Sequence, residues 1–367
     1  MKVLHINAGT EDGGGKTHII SLLAEFPKSE VALAVFEEGP VAVEARSLGI
    51  NVHVLGQKNR YDLSILSRLK SLINKHSYDI VHTHGPRANL FMALIKKRIN
   101  AKWVSTIHSN PELDFETKSL RGNVFTKLNF FSFKKIDLIL AVTEKLKTVL
   151  TNKGLIPDNI EVIYNGIHFT EVPSDPVDLT EKYGVPDNHF IIVHVARLHP
   201  IKGHEVLFDS LQKVKYKNIK VLLVGDGPLA RDLQNLAKTL NITDNVLFLG
   251  YQKNVNKIIS ASNIGILTSH SEGFPIVLLE VANQHKTCIT TNVSDVEKLI
   301  PDSTFGWIVP VRDSDALSKA IEEAYETWEK GGLPSMGERL FNNAKERFSL
   351  DKLYNDVRNS YRRVLSK

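Results

Sequence analysis

A single cysteine, Cys288, stands in 367 residues, so neither an internal disulfide nor a thiolate metal cage can form, which fits a reducing compartment. Its neighbours Thr287 and Ile289 mark it as a buried strand residue. No stretch reaches the roughly 18 consecutive apolar residues of a membrane span. Met1 to Asn7 run from a short apolar strand straight into a Gly-rich turn, so no signal peptide is expected and the chain is read as cytoplasmic. An excess of one charge is also lacking, with 46 Lys and Arg against 41 Asp and Glu. No recognition motif accompanies the small surplus, so no nucleic-acid partner is expected. Hydrophobic residues at 42% and charged residues at 24% exclude the disordered and fibrous classes.

The surplus that exists is unevenly spread. Residues 1–165 carry a net +6 and the remainder a net −1, which assigns an anionic partner to the first half. A membrane surface and a phosphate-bearing substrate both fit.

Short β-rich runs alternate with helical patterns along almost the whole chain. Strands are predicted at 3–7, 31–36, 52–55, 80–82, 103–107, 138–142 and 162–163, with helices such as 16–26, 63–76 and 87–98 between them. The alternation breaks at 170–188, where Pro173, Pro176, Gly184 and Pro186 lie among charges, and this segment reads as a linker. It restarts with strands at 190–195, 221–224, 246–249, 264–267, 288–290 and 307–309, and a last helix is predicted at 350–365. The expected domains are 1–168, a linker at 169–188, a second domain at 189–347 and a terminal helix at 348–367 that packs back on the first. Two doubly wound parallel sheets follow, each binding ligands where strand ends lead into helices.

The sharpest signals lie in the second half. Strand 190–195 ends in Ala196-Arg197-Leu198-His199-Pro200-Ile201-Lys202-Gly203. A guanidinium and an ammonium at a strand end beside a helix start suit a pyrophosphate and would stabilise a departing nucleoside diphosphate. Taken singly, each is more often an ordinary solvated cation. Strand 221–224 runs into Gly225-Asp226-Gly227-Pro228, where glycines let a ligand approach the backbone. Strand 264–267 leads through Glu272-Gly273-Phe274 to Pro275, read as the first helical residue. Glu280 then lies about 80° round the same helix from Glu272. One carboxylate suits sugar hydroxyls and the other a ribose. The plain alternative is a helix-dipole charge and an exposed helical glutamate.

These motifs, in order, resemble glycosyltransferase family 4, retaining enzymes of the GT-B fold: Arg-Leu-x3-Lys-Gly, Gly-Asp-Gly-Pro, Glu-Gly-Phe-Pro and Glu-x7-Glu. The first half adds Gly14-Gly15, Asp79-Ile80-Val81-His82-Thr83-His84, Thr106-Ile107-His108 and Tyr164-Asn165-Gly166-Ile167. The resemblance implies an α/β fold of two Rossmann-like domains facing a cleft. It implies that Arg197 and Lys202 hold the donor diphosphate, that Glu272 contacts the transferred sugar and that Glu280 contacts the ribose. Backbone around Gly273 and Phe274, and Gly14 or Gly15, would face the donor, with Gly225 and Gly227 in the same binding set. His108 would position the sugar or stabilise charge. A hexose from a nucleotide-diphosphate sugar, most simply a UDP-sugar, would pass to a hydroxyl acceptor without metal or other cofactor. His168 departs from the family, where an Asp is usual. A sugar-nucleotide epimerase of the same fold and a non-catalytic partner subunit are the alternatives.

Three other patterns are weaker. Gly13-Gly14-Gly15-Lys16-Thr17 resembles a triphosphatase phosphate loop, but Thr10 stands where the required first glycine belongs. His82 and His84 share a strand face like a metal pair, yet no third ligand accompanies them, so packing or acceptor binding is expected. Asp313-Ser314-Asp315 imitates a metal-binding DxD and is read as a helix N-cap. Last, Lys118–Lys135 holds Lys118, Arg121, Lys127, Lys134 and Lys135 interleaved with Phe125, Phe130, Phe131 and Phe133. That pattern suits contact with an anionic inner leaflet and a lipid-linked or glycan acceptor; a packed aromatic helix face is equally compatible.

Overall fold

The computed structural model describes residues 1–11, 13–59, 62–112 and 120–367, the side chains of 120 and 121 excepted. It forms two compact units, Met1–Gly166 with Leu350–Lys367, and Ile167–Ser349. In the first, seven parallel strands run β1 (Val3–Asn7), β2 (Val31–Val35), β3 (Asn51–Val54), β4 (Ile80–His84), β5 (Lys102–Ile107), β6 (Leu138–Ala141) and β7 (Ile160–Val162). Their spatial order is β3-β2-β1-β4-β5-β6-β7. Runs such as Val-Ala-Leu-Ala-Val in β2 and Leu-Ile-Leu-Ala in β6 are buried along their whole length, as expected of a sheet covered on both faces.

The second unit holds β8 (Phe190–Val195), β9 (Ile219–Val224), β10 (Val246–Gly250), β11 (Ile264–Leu267), β12 (Thr287–Thr291) and β13 (Trp307–Val309), in the order β10-β9-β8-β11-β12-β13. This is the doubly wound arrangement, with strand order reversing between β8 and β11, as it reverses between β1 and β4 in the first unit. Cys288 lies fully buried in β12, and burial pushes its thiol up to about 12. Asp313 caps the helix Ser314–Glu329, accepting from Ala316 N at 2.8 Å, so its DxD likeness is a cap.

The segment 170–188 read as a linker is built into the second unit. Thr170 N donates to Asn283 Oδ1 at 2.9 Å and Ser174 N to Gln284 Oε1 at 2.7 Å, and Asp178 caps a short helix, Leu179–Tyr183. Its prolines and charges signal irregular backbone, which side-chain amides satisfy here. The terminal helix Leu350–Ser366 belongs to the first unit. Leu350, Leu353, Val357, Tyr361 and Val364 lie in that unit's core, spaced as one helical stripe. Arg363 Nε donates to Glu161 Oε1 at 2.9 Å across the rim.

Candidate functional site

In the second unit the loops leaving β8, β9 and β11 are tied together backbone to backbone. After β8, His199 caps a single turn, Pro200–Lys202, its Nδ1 accepting from Ile201 N at 3.3 Å. Gly203 then takes a left-handed φ of +63°, and a side chain there would stand 2.2 Å from Thr268 O. His270 N donates to Ile201 O at 2.7 Å, and Thr268 Oγ1 to Lys202 O at 2.9 Å. These bonds lay the β8 loop along the β11 loop, and the consequence is a charge pair. Lys202 Nζ lies 2.5 Å from Glu272 Oε1, which also accepts from Ser269 Oγ at 2.5 Å. Both side chains are sheltered, 22% and 14% exposed, so the pair is less screened than a surface bridge.

Arg197, on the same loop, is exposed and has no protein partner among the described residues. Gly225 has φ +139° and a side chain there would meet Ala196 O at 2.1 Å; one at Gly227 would meet Leu198 O at 2.4 Å. Leu198 N donates to Asp226 O, and Leu229 N to Leu198 O, at 2.9 and 3.1 Å. The absence of a side chain at both glycines is thus demanded first by the close approach of the neighbouring Arg197 loop.

Helix Ile276–Asn283 starts one residue later than expected, with Pro275 as its cap. Glu272 thus sits on the loop before the helix, and the shared-helical-face relation to Glu280 does not hold. Gly265 in β11 lets this helix close in, since a side chain there would strike Val281 Cγ2 at 2.5 Å. Glu280 is half-buried on the helix, with no hydrogen-bond partner among the described residues, and burial pushes its carboxyl above the ordinary range. An uncompensated carboxylate in such a place is costly without a ligand. Phe274 is buried against Phe348, ring centroids 4.7 Å apart, and Gly273 O accepts from Ser294 Oγ. A cavity of about 500 Å³ in this unit, lined by Pro176, Val185, Ile191 and Trp328, opens at the opposite, amino ends of the strands and is remote from these charges.

The first unit gathers a different set at its own reversal of strand order. Register pairs His5 of β1 with His82 of β4, and His84 follows on the same face. Five groups then form one hydrogen-bonded chain with Thr106. Thr106 Oγ1 meets His82 Nε2 at 2.7 Å, and His82 Nδ1 meets Tyr361 Oη at 2.5 Å. Tyr361 Oη meets His5 Nε2 at 3.3 Å, His5 Nδ1 meets His84 Nε2 at 3.0 Å, and His84 Nδ1 meets His108 Nε2 at 3.2 Å. Burial lowers His5 to about 3 and holds His82, His84 and His108 well below the usual imidazole range, with neighbouring histidines adding to the effect. Burial likewise raises the Tyr361 hydroxyl. The chain is therefore neutral. Each neutral imidazole has one donor and one acceptor nitrogen, so the whole chain points one way or the other. His108 is half-buried at its end; His5, His82 and His84 are fully buried. His18, 2% exposed on the helix Gly14–Glu25, sits edge-on to His108 with centroids 4.6 Å apart.

Sequence reading named His82, His84 and His108, with Thr106 in the motif of His108, but not His5, His18 or Tyr361. A histidine at the centre of the apolar strand Val-Leu-His-Ile-Asn was the available signal. Gly14 and Gly15 open the helix that carries His18, behind Gly13 with φ +83°. Of the basic aromatic stretch, Lys118 and the Arg121 side chain lie outside the described residues.

Residues 178–347 match the family Glycosyl transferases group 1, and residues 12–171 match Glycosyltransferase Family 4. N-acetyl-alpha-D-glucosaminyl L-malate synthase of Bacillus anthracis is 26% identical over 324 residues, 86% of this chain and 83% of its own. UDP-Gal:alpha-D-GlcNAc-diphosphoundecaprenol alpha-1,3-galactosyltransferase of Escherichia coli is 27% identical over 270 residues, covering 71% and 70%. Among solved structures, Anabaena HepE in complex with UDP-glucose superposes with a TM-score of 0.87 at 19% identity, over 98% of this chain and 99% of that one. Two strand-order reversals of one kind, a cationic loop after β8 and family matches spanning both halves agree: the chain belongs to the group 1 and family 4 glycosyltransferases, and its fold is GT-B.

Proposed function

We propose that this glycosyltransferase is a retaining hexosyltransferase that moves a sugar from a UDP-sugar to a hydroxyl acceptor in polysaccharide or glycolipid assembly. The observation that carries the reading is the sheltered Lys202–Glu272 pair at the carboxyl edge of β8 and β11, with the unpaired Arg197 on the same loop. Arg197 and Lys202 hold the donor diphosphate and stabilise the charge it gains as the bond to the sugar breaks. Glu272, already poised by Ser269 and Lys202, takes sugar hydroxyls. Glu280 takes the ribose hydroxyls, which gives its half-buried carboxyl the partner it lacks in the protein. Backbone at Gly14, Gly15, Gly225, Gly227, Gly273 and Phe274 lines the donor, and His108 serves the sugar. Catalysis rests on positioning and electrostatics, with no metal assigned to the step.

The UDP-glucose complex of HepE supports the donor class, and the Escherichia coli relative, whose name specifies UDP-Gal and a diphosphoundecaprenol acceptor, supports a lipid-linked acceptor. Contact with an anionic inner leaflet is assigned to the helix Leu120–Phe133. There Val124, Phe125, Leu128 and Phe131 are 54%, 41%, 37% and 49% exposed, beside exposed Lys127 and Lys134. Among the described residues no helix is long and apolar enough to cross a membrane.

A thermal-shift panel of nucleotide sugars tests the reading. Stabilisation by a UDP-sugar that disappears in Lys202→Ala is expected. A bound sugar nucleotide seen elsewhere, with Arg197, Lys202, Glu272 and Glu280 turned from it, overturns it.

A further inference from the structure

We propose that His18, His84 and His108 form a binding site for a zinc ion in the first unit, and that its occupancy withdraws His108 from the transfer reaction. Their ligand nitrogens lie within 4.8 Å of one another. Two of them, His84 Nδ1 and His108 Nε2, are 3.2 Å apart. Tetrahedral zinc with metal–nitrogen bonds near 2.05 Å needs nitrogens about 3.4 Å apart, so this pair already has the spacing. The third ligand is the buried His18, whose ring has the Asn165 side chain as its polar neighbour but no hydrogen bond of good geometry. A buried imidazole held so loosely calls for an explanation, and a ligand for it is one. Drawing His18 in closes the remaining gap.

The surroundings supply what such a site needs beyond its ligands. A zinc-bound histidine donates its other ring N–H to a fixed acceptor, which sets its tautomer. Here that acceptor is built in. With the chain pointing away from His84, His84 Nε2 donates to His5 Nδ1, His5 Nε2 to Tyr361 Oη, Tyr361 Oη to His82 Nδ1, and His82 Nε2 to Thr106 Oγ1. His84 Nδ1 is then a bare lone pair aimed at the ion, and His108 binds through Nε2 with its proton on Nδ1. Zinc therefore selects one of the chain's two directions. The ligand set is all imidazole, which suits zinc, copper or nickel and disfavours magnesium, calcium and manganese. His108, half-buried, provides the way in, and the fourth position stays open to water or an anion.

The site itself is independent of the proposed function; the effect on transfer rests on the role given to His108. The test is equilibrium dialysis of the full chain, without a histidine tag, against zinc and against cobalt(II), whose visible ligand-field absorption reports tetrahedral geometry. One ion per chain is expected. His18→Ala and His108→Ala should each weaken binding by at least about 100-fold, and Tyr361→Phe, acting one hydrogen bond further out through His5, by up to about 10-fold, below the 10–100-fold of a direct outer-shell partner. Circular dichroism should show all three folded. No bound ion, or binding unchanged in His18→Ala and His108→Ala, overturns the site; the pair of half-buried His53 and exposed His76, with rings 5.4 Å apart, is where such residual binding would be sought, by His76→Ala. Zinc should slow transfer by the wild type and leave His18→Ala unaffected. Stoichiometric binding without inhibition would uphold the site and refute the role of His108.

Discussion

The two units share one sheet plan and use it for opposite chemistry. Each reverses strand order beside its first strand, and each gathers polar side chains there. In the first unit these are imidazoles, buried and neutral, linked end to end. In the second they are an ion pair, an unpaired guanidinium and a half-buried carboxyl. The whole-unit charges follow suit. The first unit, with its returning helix, carries 27 Lys and Arg against 18 Asp and Glu, a net +9; the second carries 19 against 23, a net −4. The lesson is that topology selects the place and the side chains select the chemistry. A cationic loop inside a net-acidic unit is also a local device, since the bulk charge of that unit opposes anion binding.

Four experiments would break or sharpen this contrast. The largest effect is expected on acidification. Histidines held neutral by burial bind fewer protons folded than unfolded, so the stability they contribute is complete above pH 6.5 and is lost as pH falls towards their folded values. Those are about 3 for His5 and about 4 for His18 in the first unit, and about 4 for His204 in the second. With six such groups against three, the first unit should unfold at the higher pH; hydrogen exchange mapped by peptide would show it, and simultaneous or reversed unfolding would remove the distinction.

Next, Lys202→Ala should lower turnover on the order of 10²–10³-fold with the fold intact, the scale of one preorganised electrostatic contact. Near-normal sugar transfer by that variant would detach the ion pair from catalysis. Gly225→Ala should then cost about 1–3 kcal/mol, because φ +139° is hostile to a side chain and Ala196 O stands in its way. Urea unfolding measures it, and a neutral result would show that the loop shifts freely. Smallest is Glu280→Gln. A carboxyl raised by burial costs stability once ionised, so the variant should melt slightly higher than wild type above the ordinary carboxylate range, the gain vanishing as pH falls to about 4.5. Saturation with the donor should reverse the order of the two melting points if Glu280 holds the ribose.

Much of this was legible in the sequence. The strands lie where apolar runs alternate with helical patterns; central ones such as β2 and β6 are buried on both faces and read as continuous apolar runs, while the edge strand β3 is only half-buried. Arg197, Lys202 and Glu272 stood out as candidates because their loops follow strands and carry glycine, whereas Glu280 was singled out on a helical spacing that the later start of its helix removes. The first-unit chain was not. His5, His82 and Tyr361 are 356 residues apart at their extremes, and only strand register and the docking of a distant helix join them. The packing role of Gly225 and Gly227 was hidden for a similar reason: the neighbour demanding their lack of a side chain comes from another loop. The 170–188 segment reads as a tether because its partners, Asn283 and Gln284, lie a hundred residues away.

The return of Leu350–Ser366 to the first unit has a consequence for biogenesis. All of Ile167–Ser349 is synthesised before Tyr361 emerges, so the acidic lobe can fold on the ribosome while the basic lobe waits with His5 and His82 each short of one hydrogen-bond partner. A nascent chain arrested before that helix should hold one protease-resistant lobe and one that is still digestible.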